Sequence, residues 1–173
     1  MTDQELVYQT LHHDKELFVQ LVERYQKPIL AYCSRLLNYN QVNAEDVASS
    51  AFLKAYSSLA SYNPRLKFSS WIYRIAHNEA VNFIKANAKH FSFDPQDSYF
   101  HNFFQPHQDL KLTIEELGVI LNKLTLPDKN LLVLFYFEEL SIFEISEILK
   151  TSENSVKSRL SQARKKARKL LDI

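Results

Sequence analysis

An all-α fold of two small helical domains, joined by a flexible linker and with a helix-turn-helix as the second domain, is predicted for this chain of 173 residues. Three observations predict it. Apolar residues recur at intervals of three and four in two blocks, before about residue 86 and after about residue 112. Between them, Ala86 to Asp109 contains no Leu, Ile, Val or Met, so that stretch has no aliphatic material for a core of its own. Within the second block the charge changes sign. Leu112 to Leu149 holds seven acidic and two basic residues, whereas Lys150 to Leu171 carries eight Lys or Arg against the single Glu153. A chain with a formal net charge of only +1 has thus gathered a local +7 on its last predicted helix, as expected of a surface that meets phosphates. The expected boundaries are 1–86, a linker at 87–111, and 112–173.

In the first block, Phe18, Leu21, Val22, Tyr25, Ile29, Tyr32, Cys33 and Leu36 form one helical face, with Pro28 as a bend or break. Asn43 is the expected cap of the next helix, whose face is Ala44, Val47, Ala48, Ala51, Phe52, Ala55 and Leu59. A third helix, expected from near Ser69 or Ser70, carries Trp71, Ile72, Ile75, Ala76, Phe83 and Ile84. Three amphipathic helices in this span make a small bundle. The linker holds Phe91, Phe93, Tyr99, Phe100, Phe103 and Phe104, too many rings for a purely solvated tether. They either pack back on the two domains or dock on a partner.

The second block opens with Pro127 near the start of an apolar run: Leu131, Leu132, Leu134, Phe135 and Phe137. Ser141-Ile142-Phe143-Glu144 has the form of a capping box, and Ile142, Ile145, Ile148 and Leu149 supply an apolar face, which predicts a helix over about 142–149. Lys150, Thr151 and Ser152 leave room for a turn, with Thr151 or Ser152 as the N-cap of the basic helix. In that helix Val156, Leu160, Ala163, Ala167, Leu170 and Leu171 make the packed stripe, and Lys157, Ser158, Ser161, Lys165 and Arg168 fall largely off it. The outline is a helix-turn-helix. On charge alone a basic C-terminal helix is equally well a solvated face. The hydrophobic run after Pro127 favours a folded domain, because it can bury both shorter partners.

Other features bound the function. One cysteine, Cys33, excludes an internal disulfide and fits a reducing, cytoplasmic setting. No run is long and apolar enough to span a membrane, and Met1 to Gln9 does not read as a signal peptide. Gly118 is the only glycine, so no glycine-rich phosphate loop or dinucleotide fingerprint exists. His12 and His13 are adjacent and cannot share a helical face, and His90, His101 and His107 lack metal-ligand spacing. A nonenzymatic protein with no metal and no cofactor is expected.

Several motifs together resemble a known family. Leu126-Pro127, then Leu140-Ser141-x-x-Glu144-Ile145, then Ser155-Val156-Lys157-Ser158-Arg159-Leu160 and Ala163-Arg164 look like the promoter-reading C-terminal domain of ECF-type bacterial RNA polymerase sigma factors. Ala44-Glu45-Asp46-Val47 followed by Phe52-Leu53-Lys54-Ala55-Tyr56 resembles that family's helix for docking on the coiled coil of the largest polymerase subunit. Phe68-x-x-Trp71-Ile72-Tyr73-Arg74-Ile75-Ala76-x-Asn78 resembles its segment for opening and reading the minus-ten element. The resemblance covers about residues 12–86 and 114–171. Departures accompany it: Lys150 stands at the usual turn glycine, Asn154 where a small residue is common, Ser49-Ser50 where Gln-Glu is usual, and Asn82 in place of an Asp.

The resemblance implies a transcription initiation factor whose partners are core RNA polymerase and promoter DNA, with an anti-sigma protein as a common further partner and no small-molecule substrate. Polymerase binding would fall to Asp46, Ser49, Ser50 and Lys54, Asp46 being read equally as an N3 capping residue. For the minus-ten element, unstacking a base costs roughly a few kcal/mol, which aromatic platforms and cations offset. The candidates are Tyr62, Asn63, Arg65, Lys67, Ser69, Trp71, Tyr73, Arg74, His77, Asn78 and Lys85, with Asn63 and Ser69 on a flipped base and the cations on the backbone. Trp71 is divided between core packing and strand separation, whereas Tyr73 and His77 lie nearer the polar side. Phe52, Phe135 and Phe137 are read as core. For the minus-thirty-five element, a helix N-terminus in the major groove points to Asn154, Ser155, Lys157, Ser158, Arg159 and Gln162. Arg164, Lys165, Lys166, Arg168 and Lys169 are expected on phosphates or in solvent. The competing readings are a regulator that binds duplex DNA without polymerase, and a helical adaptor that binds protein only.

Overall fold

The computed structural model describes residues 1–87 and 114–170, and all regular structure among them is helical. In chain order the helices are α1 (Asp3–His12), α2 (Phe18–Leu36), α3 (Gln41–Ser57), α4 (Phe68–Ala86), α5 (Ile114–Lys123), α6 (Leu126–Leu132), α7 (Ile142–Leu149) and α8 (Glu153–Leu170). Beyond Asn87 the expected linker lies outside the described residues.

Helix α1 is an addition to the sequence reading. Thr2 Oγ1 accepts the Glu5 N–H at 3.2 Å while the Glu5 carboxylate accepts the Thr2 N–H at 2.7 Å, a reciprocal capping box. Leu6 and Val7 enter the core, and Asp3 accepts hydrogen bonds from Arg24 and from the Tyr25 hydroxyl, the latter at 2.5 Å. Helix α2 runs through Pro28 without ending, so of the bend or break expected there the break does not occur. Proline in a helix interior costs about 3 kcal/mol. Burial of Leu21, Ile29, Tyr32 and Leu36 on one face offsets that, at roughly 1.5–3 kcal/mol for each large side chain. Asn38 and Tyr39, both at positive φ, then reverse the chain.

Two helix starts differ from expectation. Helix α3 begins at Gln41, capped by Asn40, whose Oδ1 accepts the Asn43 N–H at 3.0 Å. Asn40 offers the same chemistry as Asn43 three residues earlier, so Asn43 becomes part of the first turn and Asp46 falls beyond it, with no capping role. Helix α4 starts at Phe68 without a side-chain cap, because the buried Phe68 ring draws the first turn into the core.

In the C-terminal domain α6 starts with proline in its first turn and widens into a π-helical turn over Val133–Phe137. Leu131, Leu132, Val133 and Leu134 are buried there, whereas Phe135 and Phe137 are only half-buried, each with an arginine over its ring. The two domains are docked. One apolar cluster runs from Leu36, Leu37 and Ile72 of the first domain to Leu121, Leu134, Ile145, Val156 and Leu160 of the second. Helix α4 packs on α7, and α2 packs on α6 and its π-helical extension.

Candidate nucleic-acid and polymerase interfaces

The helix-turn-helix forms as its caps dictate. Ser141 Oγ accepts the Glu144 N–H at 3.2 Å and the Glu144 carboxylate accepts the Ser141 N–H at 2.9 Å, so α7 opens on the complete capping box. It ends at Lys150 in the left-handed region (φ 50°, ψ 52°), with the Thr151 N–H donating to the Ser146 carbonyl at 3.1 Å. Lysine therefore adopts the backbone geometry for which glycine is suited. Ser152 caps α8, its Oγ accepting the Ser155 N–H at 3.2 Å. Val156, Leu160 and Ala163 anchor α8, and the stripe then fades into solvent at Leu170. On the outer side Asn154, Lys157, Ser158, Arg159 and Gln162 are exposed and Ser155 is half-buried. Two of the cations expected on phosphates or in solvent make contacts within the domain. The Arg164 guanidinium lies over the Phe135 and Tyr136 rings, at 5.1 and 5.4 Å, and Lys166 pairs with Asp128 at 2.6 Å. Acceptors and π faces of α6 lie within their reach, which helical spacing alone does not reveal.

In the first domain the loop before α4 is closed by its own polar groups. Asn63 Oδ1 accepts the Arg65 N–H at 3.0 Å, and the Tyr62 hydroxyl donates to the Leu66 carbonyl at 2.5 Å. Tyr62 and Trp71 are buried in an aromatic cluster with Phe68, at ring separations of 5.5–5.6 Å. Their part is therefore to stiffen the loop, and Tyr62 offers no exposed stacking face. Asn63, Arg65, Lys67, Asn78 and Lys85 are exposed, and Ser69 and Arg74 are half-buried. Tyr73 and His77 depart from expectation: Tyr73 is buried and His77 half-buried. Tyr73 packs edge-on against Tyr32 of α2 and donates its hydroxyl to Glu138 of the second domain, while His77 meets the Tyr32 hydroxyl.

On α3, Asp46, Ser49, Ser50 and Lys54 are all exposed, with Lys54 paired to Glu79 at 2.7 Å. Beside them lies an apolar groove of about 520 Å³ lined by Phe18, Val22, Leu30, Phe52, Leu53 and Tyr56. Phe52, read as core, is thus a half-buried groove wall. Leu53 is 72% exposed, and its place off the apolar stripe was the available signal for a contact residue.

The seam between the domains is polar at its centre. Arg35 binds Glu138 at 2.6 Å with their side chains 7% and 5% exposed, and the guanidinium also lies 4.8 Å from the Phe137 ring centre. The other carboxylate oxygen of Glu138 accepts the Tyr73 hydroxyl at 2.5 Å. Burial raises the Glu138 pKa above the usual carboxylate value despite the pull of Arg35, and burial likewise raises Tyr73. The Tyr32 hydroxyl donates to Asn130 Oδ1 at 2.7 Å and lies 3.2 Å from His77 Nδ1, and burial depresses His77 to about 4. Lys129 donates to Asn38 at 2.6 Å and Asn122 at 3.1 Å, with burial lowering it to about 7. At the rim Lys67 pairs with Glu144 at 2.7 Å.

Among the described residues no helix is long and apolar enough to cross a membrane, and no group of His, Cys, Asp or Glu is placed to hold a metal ion. A helical bundle with an exposed polar and apolar face, followed by a helix-turn-helix with an outward basic surface, defines a two-domain DNA-binding protein. Its family follows from comparison with known proteins. Residues 21–90 match sigma-70 region 2 and residues 114–166 match sigma-70 region 4. The ECF RNA polymerase sigma factor SigW of Bacillus subtilis is 34% identical over 170 residues, covering 91% of this chain and 90% of SigW. The ECF RNA polymerase sigma-E factor of Escherichia coli K12 is 31% identical over 176 residues, covering 95% and 91%. Among solved structures, CnrH in complex with the cytosolic domain of CnrY superposes with a TM-score of 0.71 at 25% identity, covering 98% of this chain and 97% of CnrH. The chain belongs to the ECF RNA polymerase sigma factors. Promoter recognition for RNA polymerase is therefore its function, and it is not an enzyme.

Proposed function

We propose that residues 1–86 bind core polymerase and the minus-ten element, that residues 112–173 read the minus-thirty-five element, and that 87–111 link them. The exposed face of α8 between Asn154 and Gln162 is the observation that carries this reading. Helix-turn-helix recognition uses the N-terminal part of the second helix in the major groove. Lys157 and Arg159 are the candidates for guanine or phosphate, Asn154 and Gln162 for base edges, and Ser155 and Ser158 for hydroxyl contacts. On the minus-ten side Asn63 and Ser69 are assigned to the base, and Arg65, Lys67, Arg74 and Lys85 to the backbone. Asn78 lines the strand's path, and Tyr62 and Trp71 hold the loop.

Asp46, Ser49, Ser50 and Lys54 form the polymerase contact, with Leu53 as an apolar anchor beside them. Leu53 offers the large buried area that polar serines lack. Neither domain suffices alone, because linking two weak sites raises overall affinity through effective concentration. Cytoplasmic location follows from this role. A protein inhibitor of the anti-sigma kind is a further proposed partner, by likeness to CnrH solved with CnrY.

The test is co-purification with bacterial core RNA polymerase, followed by run-off transcription and permanganate footprinting on genomic fragments. Polymerase-dependent transcripts with a reactive, opened minus-ten region are expected. Salt-sensitive duplex binding by the protein alone, without affinity for core, would overturn the residue assignments in favour of a helix-turn-helix acting by itself.

A further inference from the structure

Helix α6 carries a lysine into the seam between the domains. Lys129 is only 3% exposed, and its Nζ donates to Asn38 Oδ1 in the reversal after α2 at 2.6 Å and to Asn122 Oδ1 of α5 at 3.1 Å. Both acceptors are carboxamides. Arg35, the other buried cation of the seam, meets the carboxylate of Glu138 instead. The charged groups packed around Lys129 are turned elsewhere. Asp128, beside it on α6, pairs with Lys166 and feels Arg159, both of α8. Arg164 of α8 lies over the Phe135 and Tyr136 rings, and Lys123 of α5 is exposed. Tyr39, next to Asn38, is a hydroxyl that burial raises to about 12, so it carries no charge near neutrality.

An ammonium buried without a countercharge is far less stable than the amine, and lysines so placed give up their proton. The cradle suits the amine. Asn122 Nδ2 is buried with no acceptor among the described residues. Turning that amide over sets Nδ2 against Nζ, where it donates to the lone pair that only the neutral amine possesses. Burial lowers Lys129 from 10.5 to about 7, in keeping with this geometry.

We propose that Lys129 enters the seam as the neutral amine, so that docking of the two domains releases one proton and tightens as the medium turns alkaline. In separated domains the amine regains water and its ordinary value of 10.5. From that value down to about 7 the docked form binds fewer protons, so the docked population grows as pH rises and shrinks as pH falls. Below 7 the lysine is charged in both forms and its contribution becomes constant. Glu138, raised by burial, works in the opposite sense, whereas His77 at about 4 and Cys33 at about 12 lie away from neutrality in the docked chain. The share of Lys129 is therefore the difference between the parent and Lys129→Met.

The experiment uses the full chain with lysines isotope-labelled at Cε. The Lys129 resonance, identified by its loss in Lys129→Met, should titrate near neutrality. Dyes on Gln20→Cys and Ser161→Cys, exposed positions in the two domains, report docking by energy transfer, with Cys33 buried and shielded from labelling. In urea that leaves about half of the chains in the high-transfer state at pH 7, a rise to pH 8.5 should increase the ratio of high to low transfer about tenfold more in the parent than in Lys129→Met. Asn122→Asp provides a second test if Lys129→Met folds poorly. Its carboxylate supplies the missing countercharge, so it should return the Lys129 resonance towards the ordinary lysine value and flatten the pH dependence. A Lys129 that titrates at the ordinary value in the parent, or a transfer ratio that responds to pH equally in the parent and the variants, would overturn the proposal.

Discussion

The Arg35–Glu138 pair provides a measurable energy for domain docking. Its partners approach to 2.6 Å, where attraction at an effective dielectric of 20 is about 6 kcal/mol before desolvation is subtracted. Both ions have left water almost completely, so most of that attraction is consumed by their lost hydration. Removing one partner leaves the other buried and uncompensated, at a cost of about 3–5 kcal/mol. Here the penalty has a ceiling, because undocking returns the orphaned ion to water. Arg35→Met or Glu138→Leu alone should therefore lower stability by up to that amount and split a cooperative urea transition into two, one for each domain. The Arg35→Met, Glu138→Leu double variant should recover to within about 1 kcal/mol of the parent, since apolar replacements of buried ion pairs are often neutral or better. Denaturation followed by tyrosine fluorescence and helicity gives the full double-mutant cycle. Single variants costing less than about 1 kcal/mol, with no coupling in the double, would mean that the pair is solvated and the seam open in solution, and the reasoning would be wrong.

Lys150→Gly should stabilise the chain by about 0.5–1 kcal/mol in chemical denaturation, because glycine occupies the left-handed turn without a Cβ clash. Lys157→Ala should flatten the dependence of log K on log salt by about 1 for a minus-thirty-five duplex titrated with holoenzyme, whereas Arg159→Ala should cost about 1–3 kcal/mol and relax sequence preference. His77, depressed by burial to about 4 from its usual 6.5, supports folding fully above pH 6.5 and progressively less as pH falls towards 4. At pH 5 that amounts to about 2 kcal/mol. Glu138, raised by burial, works with the opposite sign, so the quantity to compare is the stability of His77→Gln against the parent at pH 5 and pH 7. The gap between them should change by about that amount, and a constant gap would show that the imidazole stays solvated.

The helix-turn-helix was legible because its determinants are local. A capping box at Ser141, an apolar stripe from Val156 to Ala163 and a capping serine at 152 each act within four residues of where they are read. Helix starts were less legible where two capping residues compete, as Asn40 and Asn43 do. Helix α1 was missed although Thr2 and Glu5 spell the same box as Ser141 and Glu144. The exposed α3 face was readable from its polar residues; Leu53 was signalled only by its place off the apolar stripe, which marks an exposed apolar residue without naming its partner. The seam was the least legible part. Tyr73 reads as lying nearer the polar side but is buried, and nothing near it in sequence reveals Glu138, 65 residues away, or reveals that Tyr32 would meet Asn130 across 98.

The distance along the chain between Tyr73 and Glu138 has a consequence during synthesis. Ribosomes add roughly 5–20 residues per second, so the 65 residues separating the two take about 3–13 s to make. The N-terminal bundle buries its own apolar residues, among them Leu6, Leu21, Ala51 and Phe68, and can begin to fold as it emerges, while the residues that will cover α4 have yet to be translated. Every nascent chain therefore passes through an interval in which its first domain is formed and uncovered. The age of a molecule, counted in seconds from the ribosome, sets which surfaces it presents to its first partner.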